Sequence, residues 1–533
     1  MEILSICAIM CLGYIMKNSL QQLNENNFVS AILANNGYFC EHFPWCFNTN
    51  DLSKKWNDIG KDLIKTIEVT AKGTYPLSIS MSKEGLLRRQ MYIPNIVSFL
   101  ELANYLGKNY KFILSLCNSK CSESKITHIR TFDYPSNFRK SIYSRNARFV
   151  GYKYKLKLDI ANCFNSIYTH SISWACVGKE KAKSMYNNKN LQSIEYKIGD
   201  KIDELNSNMN ATQTNGLLTG PFTSKVTAEI ILTQLDKILK EEFDFVRFVD
   251  DYNFYFSTQE EANSAIPKIA SILNEYNLLI NKEKIQIIKF PFDILDNFDN
   301  TFQLSEDEDN VYVLLQKAYS MASDGNVGAL KYLLKSLSGR NLANKYLPQI
   351  YGLLINTMIT FPLLSPYVVN VIELYLPFIK PEKFNKQMNK ILSKEIMANH
   401  DHEVLWLLYI ILKAGVVISE ENIKGIFKSS NDLAIIMCLD YLNNNFMNAG
   451  YKNLKDVGDA FNNELIQISN NIKDSSMTSK NWLLIYTIAK LDLRINKKIK
   501  LNKIKQTKLY QLFAQNDINF YQSFYLKENN VLL

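Results

Sequence analysis

Asp159 closes the run YKYKLKLDI (152–160), and Asp250 and Asp251 stand side by side in RFVDDYNFYF (247–256). Aspartates disfavour strands, and adjacent like charges repel. Carboxylates set on rigid strands in spite of that cost suit a hard, oxygen-loving divalent ion such as Mg2+. Two such ions about 4 Å apart can stabilise the attacking and leaving oxygens of nucleotidyl transfer. Asp-Asp is also a common turn pair for its own sake, because Asp bonds to its own backbone. The chemical reading requires the hairpin to pack beside 152–160, so that Asp159 and Asp250 converge.

The elements that would do this are legible. YKYKLKLDI alternates with period two, as a strand does, and FDFVRF and YNFYF read as two strands about a tight turn. SKVTAEIILTQLDKILKEEF (224–243) has helical spacing. Before it, Gly216, Thr219, Gly220 and Pro221 form a turn that opens a helix at Phe222 or Thr223.

The wider chain falls into three zones: 17–150, read as helical with basic and aromatic patches, 151–295, where β-like and helical runs alternate, and 311–533, almost entirely helical. The acidic, polar stretch 296–310 suits a linker. Short breaks such as SDGN and KSSND separate the later helices into pairs, which suggests stacked helical hairpins; a single irregular bundle is the other reading.

Composition bounds the class. The 533 residues are 47% apolar and 21% charged, an ordinary globular balance rather than a disordered one. A net charge of +9 is mild for this length and favours an anionic partner such as nucleic acid. The nine cysteines lack zinc spacing: Cys117 and Cys121 have no second pair, and reduced cytoplasmic thiols are expected. ILSICAIMCLGYIM (3–16) is shorter than the roughly 20 residues that cross a bilayer. With Glu2 before it, it reads as a buried helix or as the product of a start placed ahead of Met16. No membrane span is expected. A basic run, RINKKIKLNKIKQTK (494–508), could track a phosphate backbone or simply be a solvated face.

Four segments in order carry a resemblance: LDIANCFNSIYTHSISWACVGK (158–179), QTNGLLTGPFTSKVTAEIIL (213–232), RFVDDYNFYF and LLINKEKIQIIKFPF (278–292). They resemble the palm motifs of reverse transcriptases. SIYTHSISWA, QTNG, NNGYFCEHFPWCF (35–47) and YIPN look like one branch, the bacterial abortive-infection or defence-associated reverse transcriptases, relatives of retron and group II intron enzymes. The resemblance implies an α+β fold, a reverse-transcriptase fingers–palm (right-hand polymerase) followed by an all-α helical-repeat domain. It implies Mg2+, with Mn2+ as a substitute, held by Asp159, Asp250, Asp251 and the carbonyl of Ile160. Phe164 stands where such polymerases carry an aromatic against the ribose 2′-OH, which implies dNTP substrates; a helix-core Phe is the plainer reading.

Gln213, Gly216, Gly220 and Pro221 match the nucleotide- and template-facing turn. Lys284 matches a Lys that assists pyrophosphate departure. Triphosphate-binding cations are expected among Arg88, Arg89, Arg130, Arg139, Lys140, Arg145 and Arg148, with Arg139 and Arg148 preferred. Phe248 replaces the usual Tyr of the Asp-Asp motif, and Leu218 stands where relatives often carry Pro. The branch further implies phage defence, homo-oligomers through the helical domain, and DNA made from a protein hydroxyl, often without a template. Tyr38 and Tyr168 are candidate primers. The expected partners are dNTPs, a DNA product and an RNA. A catalytically silent nucleic-acid-binding or scaffold protein on a retained palm is the alternative.

Overall fold

The computed structural model describes residues 25–34, 37–68, 73–83, 87–124, 126, 138–292, 302, 309–337, 347–376, 381–447, 449–452, 454–472, 476–490 and 504–525. The stretch 3–16, Met16, Arg130, the side chains of Arg139 and Lys140, most of 296–310, and 494–503 of the basic run lie outside them.

Six strands are present among the described residues: β1 (Leu77–Ser82), β2 (Arg88–Ile93), β3 (Tyr154–Asp159), β4 (Phe245–Phe248), β5 (Asp251–Phe256) and β6 (Gln286–Lys289). β1 and β2 form an antiparallel hairpin within 17–150, a zone expected to be mainly helical, with only YIPN read as extended. The reason is period two: Leu77, Ile79 and Met81 are buried in turn, with Ser78 exposed between them.

The central sheet runs β4-β5-β3-β6, antiparallel at every step. Leu156 and Leu158 put one face of β3 into the core. Helices Phe222–Leu239 and Gln259–Asn274 pack together, and the latter lies on β3 and β5. Phe222–Leu239 is buried almost all round, because helices Ile96–Lys108, Tyr110–Leu116 and Ser171–Val177 also lean on it. This is a reverse-transcriptase fingers–palm fold.

From Asp309 on, the described elements are helical, and neighbours alternate. Val327–Leu337, Ser365–Glu373, Asp401–Lys413, Asp432–Asn445 and Trp482–Lys490 each pack on the next in one row. Pro381–Met397, Glu420–Lys428 and Asn462–Asn471 form a second row alongside. No single described helix is long and apolar enough to cross a membrane.

The two halves meet through polar groups withdrawn from water. Arg88 donates to both carboxylate oxygens of Glu403, at 2.9 and 2.8 Å, and the backbone N–H of Ser80 donates to Asp401. Asn95 Nδ2 donates to the carbonyls of Met477 and Ser479. Trp45 and Trp406 meet edge to face. Arg88, expected in the triphosphate pool, is thus committed to the helical half.

Candidate active site

β3 and β5 run antiparallel so that Asp159 lies directly opposite Asp251, the last pair of their ladder. Asp250 is the residue before, and its carbonyl accepts from Ile160 N–H at 3.3 Å. The three carboxylates, and the Ile160 carbonyl one residue past Asp159, therefore gather at one end of the central sheet. Burial, then the charges of Asp251 and Asp159, push the Asp250 carboxyl up to about 6; Lys284 offsets part of this. Burial and Asp159 likewise raise Asp251.

Lys284 Nζ stands 3.0 Å from Asp159 Oδ2, and Asn281 Nδ2 donates to the same oxygen at 3.2 Å. Asn281 N–H also donates to the Asp159 carbonyl at 2.8 Å. The segment 278–292 is thereby fastened beside β3, and β6 pairs with it. Among the described residues, no group of three His, Cys, Asp or Glu is drawn around one point, and Asp159 Oδ2 faces Lys284 and Asn281. The donor set nevertheless fits a hard divalent cation. It is all oxygen, stands at the paired ends of β3 and β5 and on the turn before β5, and is buried and crowded enough to raise Asp250; a cation would relieve the repulsion.

Beneath the turn lies a network that sequence reasoning missed. Arg247 is fully buried, and its guanidinium binds both Glu229 oxygens (2.9 and 2.8 Å) and Asp236 (2.8 Å). Arg247 Nη1, which bonds Glu229 Oε2, also donates to the Val249 carbonyl at 2.8 Å, while Ser124 Oγ accepts from Val249 N–H at 2.9 Å. Val249 has φ +54°, a strained conformation for a β-branched residue. The two bonds hold it there, and so aim Asp250. A signal existed: Glu229 and Asp236, seven apart, interrupt an apolar helix, and Arg247 interrupts an apolar strand.

The glycine turn is laced to its surroundings. Gly216 N–H donates to Ile167, Leu217 N–H to Phe164 at 2.7 Å, and Tyr92 N–H to Thr219. A Cβ on Gly216 would sit 3.0 Å from the Asn165 carbonyl, and one on Gly220 3.1 Å from that of Tyr92; both glycines have positive φ. The close approach that demands glycine is thus to the protein's own backbone. The helix opens at Phe222, with Pro221 at its N-cap. Gln213 is exposed and Phe164 half-buried.

Of the expected cations, Arg148 donates to the Lys120 carbonyl at 3.5 Å and lies 5.1 Å from the Phe149 ring centre. Arg145 pairs with Glu123 at 3.6 Å. Tyr38 is wholly buried, its hydroxyl bonded to the Pro94 carbonyl, so it is not placed to prime a chain; Tyr168 is partly exposed.

Residues 107–309 match the family model described as reverse transcriptase (RNA-dependent DNA polymerase), so the chain carries a reverse transcriptase domain. No curated protein matches. Among solved structures, the chain is similar to apo telomerase from Candida tropicalis truncated from its C-terminal domain, with 14% identity and TM-score 0.27. That match covers 46% of this chain and 56% of the other. Apo telomerase from the same organism gives 12% identity and TM-score 0.29 over 74% and 72% of the two chains. Telomerase from Candida albicans with a TWJ fragment of telomeric RNA gives 13% and 0.26 over 68% and 66%.

Proposed function

We propose that the chain is a DNA polymerase of reverse-transcriptase type that joins dNTPs by two-metal nucleotidyl transfer. The observation that carries this is Asp159 opposite Asp251 with Asp250 adjacent, all within a reverse transcriptase domain. Asp159, Asp250, Asp251 and the Ile160 carbonyl would hold Mg2+ or Mn2+, which when bound supplies charge stabilisation to the reacting oxygens. The protein's own residues do the rest. Arg247 and Ser124 hold the turn that aims Asp250. Lys284 is a cation beside the carboxylates, suited to offset or protonate departing pyrophosphate. Phe164, its carbonyl tied to the glycine turn, excludes a ribose 2′-OH. Gln213, Gly216, Gly220 and Pro221 face nucleotide and template, and Arg139 and Arg148 contact triphosphate.

In this reading 17–150 is the N-terminal and fingers region, 151–295 the palm and 311–533 the helical-repeat domain. The resemblance to defence-associated enzymes supports cytoplasmic work in phage defence, with an RNA and a DNA product as partners and homo-oligomers formed through the helical half. It also supports priming from a protein hydroxyl, which the burial of Tyr38 directs to another residue.

The test is incubation of the purified chain with Mg2+ and labelled deoxy- or ribonucleotides, with and without RNA template and primer, beside Asp250→Asn. Deoxynucleotide product that stays on denatured protein means protein priming. Product only with template and primer means conventional copying. No incorporation by the wild type overturns the polymerase and leaves a nucleic-acid-binding scaffold on a retained palm.

A further inference from the structure

Helix Pro381–Met397 keeps its apolar and its charged side chains on opposite faces. Phe384, Met388 and Leu392, spaced four apart, are buried and fix how the helix is turned. They face inward as the helix packs on Asp401–Lys413 and Glu420–Lys428. Lys386, Lys390 and Lys394, also spaced four apart, line the outer face, and all three are exposed. Like charges at this spacing repel one another and weaken a helix. Other lysines of the helical half are answered by an acid: Lys424 lies beside Glu420, Lys428 3.7 Å from Glu464 and Lys413 3.8 Å from Glu373. Among the described residues, no carboxylate pairs with Lys386, Lys390 or Lys394.

The balance of charge along the chain points the same way. Residues 1–310 hold 35 Lys and Arg and 35 Asp and Glu, so that part is neutral. Residues 311–533 hold 26 against 17, so the net +9 falls wholly in the helical half. Seven of those 26 cations lie in the basic run 494–508. Such an asymmetry favours a polyanion as the partner of the basic half. Successive lysines of the stripe rise about 6 Å along the helix axis, so the three span about 12 Å. A nucleic-acid strand, with a phosphate about every 3.4 Å of duplex axis, offers at least three phosphates over that length. A lipid surface fits less well, because the apolar stripe of this helix is buried in the protein and is not free to insert.

We propose that the face formed by Lys386, Lys390 and Lys394 binds the phosphate backbone of a nucleic-acid strand. Contacts to phosphate carry no sequence information, so the face takes any base order and either sugar. The choice of nucleic acid rests on the polymerase reading, whereas the binding itself needs no catalysis.

Fluorescence anisotropy decides it, with labelled oligo(dT) and oligo(U), the full chain, no nucleotide, and KCl varied from about 50 to 300 mM. The triple variant Lys386→Gln, Lys390→Gln, Lys394→Gln should bind both strands about tenfold more weakly at the lowest salt. Its plot of log affinity against log salt should be shallower by about 2, at about 0.7 for each phosphate contact on a single strand. Its melting temperature should stay level or rise, since a repulsion is gone. The control Lys413→Gln, Lys424→Gln, Lys428→Gln removes the same charge from the same half and should leave the slope nearly unchanged, and arginine at the three stripe positions should keep the wild-type slope. If the stripe variant does not fold, the single change Lys390→Glu carries the test, with the same direction expected. Vesicles of phosphatidylserine and phosphatidylcholine are the competing probe. Failure of the wild type to bind either strand, an unchanged slope in the stripe variant, an equal fall in the control, or loss of vesicle binding with strands still held overturns the proposal. Incorporation of dNTPs with an unchanged slope sinks the stripe alone; a shallower slope without incorporation sinks the polymerase alone.

Discussion

Lys284 and Asp159 form an ion pair at 3.0 Å, bringing the last of the four sequence motifs onto the first. The pairing spans 125 positions of chain and depends on Asn281, whose N–H and side chain both bond to Asp159. In the proposed mechanism this cation would meet the leaving group. Lys284→Ala should lower kcat for dNTP incorporation about 10–100-fold with a smaller change in KM, and Lys284→Arg should recover part of it. Equal loss in both variants, or none, would argue against a role in the chemistry.

Asp250 is crowded by two carboxylates and by burial. Asp250→Asn keeps the shape and removes one repelling charge. Incorporation should fall at least about a thousandfold, while the melting temperature stays level or rises. Calorimetry and a nucleotide-incorporation assay read the two effects on one sample. Retained activity would remove Asp250 from the proposed metal ligands.

Phe164 offers its carbonyl to Leu217 N–H, which fixes it against the glycine turn. Phe164→Val should admit ribonucleotides, narrowing the dNTP/NTP preference about tenfold or more. Competition between dGTP and GTP measures this, and unchanged selectivity would rule out the gate.

Arg247 neutralises Glu229 and Asp236, all three buried. Arg247→Met alone leaves both acids buried and unpaired and should cost about 3–5 kcal/mol of stability. Adding Glu229→Gln and Asp236→Asn should restore much of it. The triple variant still lacks the bond to the Val249 carbonyl, so activity should remain low in a folded protein. Full activity in that variant would show that Val249 needs no such support.

His402 is fully buried in the joint between the halves. Its Nε2 meets the His42 carbonyl at 2.8 Å, where Trp406 Nε1 also donates, and its Nδ1 has no partner. Burial first, with nearby Arg88 and Arg89, outweighs the opposing pull of Glu403 and the His42 carbonyl, lowering its pKa from 6.5 to about 4. The folded value lies below the unfolded one, so the unfolded chain binds the proton first. Stability from this group is whole above pH 6.5 and is lost as pH falls toward 4, by about 3 kcal/mol in all. Melts at pH 7.5 and 5 should differ, and His402→Gln should flatten the difference; an unaltered pH profile in that variant would refute the assignment.

Local pattern made much of this legible. Leu156 and Leu158 alternate because one face of β3 is buried, and Asp159 ends that strand. Gly216 and Gly220 advertised a turn, although the backbone they approach is the protein's own. β1 escaped notice because LSISMS is short and its alternating serines look like loop.

By itself, then, the sequence determined the strands, turns and helices around the acids, though not the β1–β2 hairpin, and where the acids fall along them, because alternation and turn chemistry act over a few neighbouring residues. Only the tertiary structure decided that Asp159 opposes Asp251, that Arg247 is caged under the Asp250 turn, and that Arg88 serves Glu403 rather than a triphosphate. Those outcomes depend on strand register and on which charges lose water together, and both are set by contacts between residues far apart in the chain.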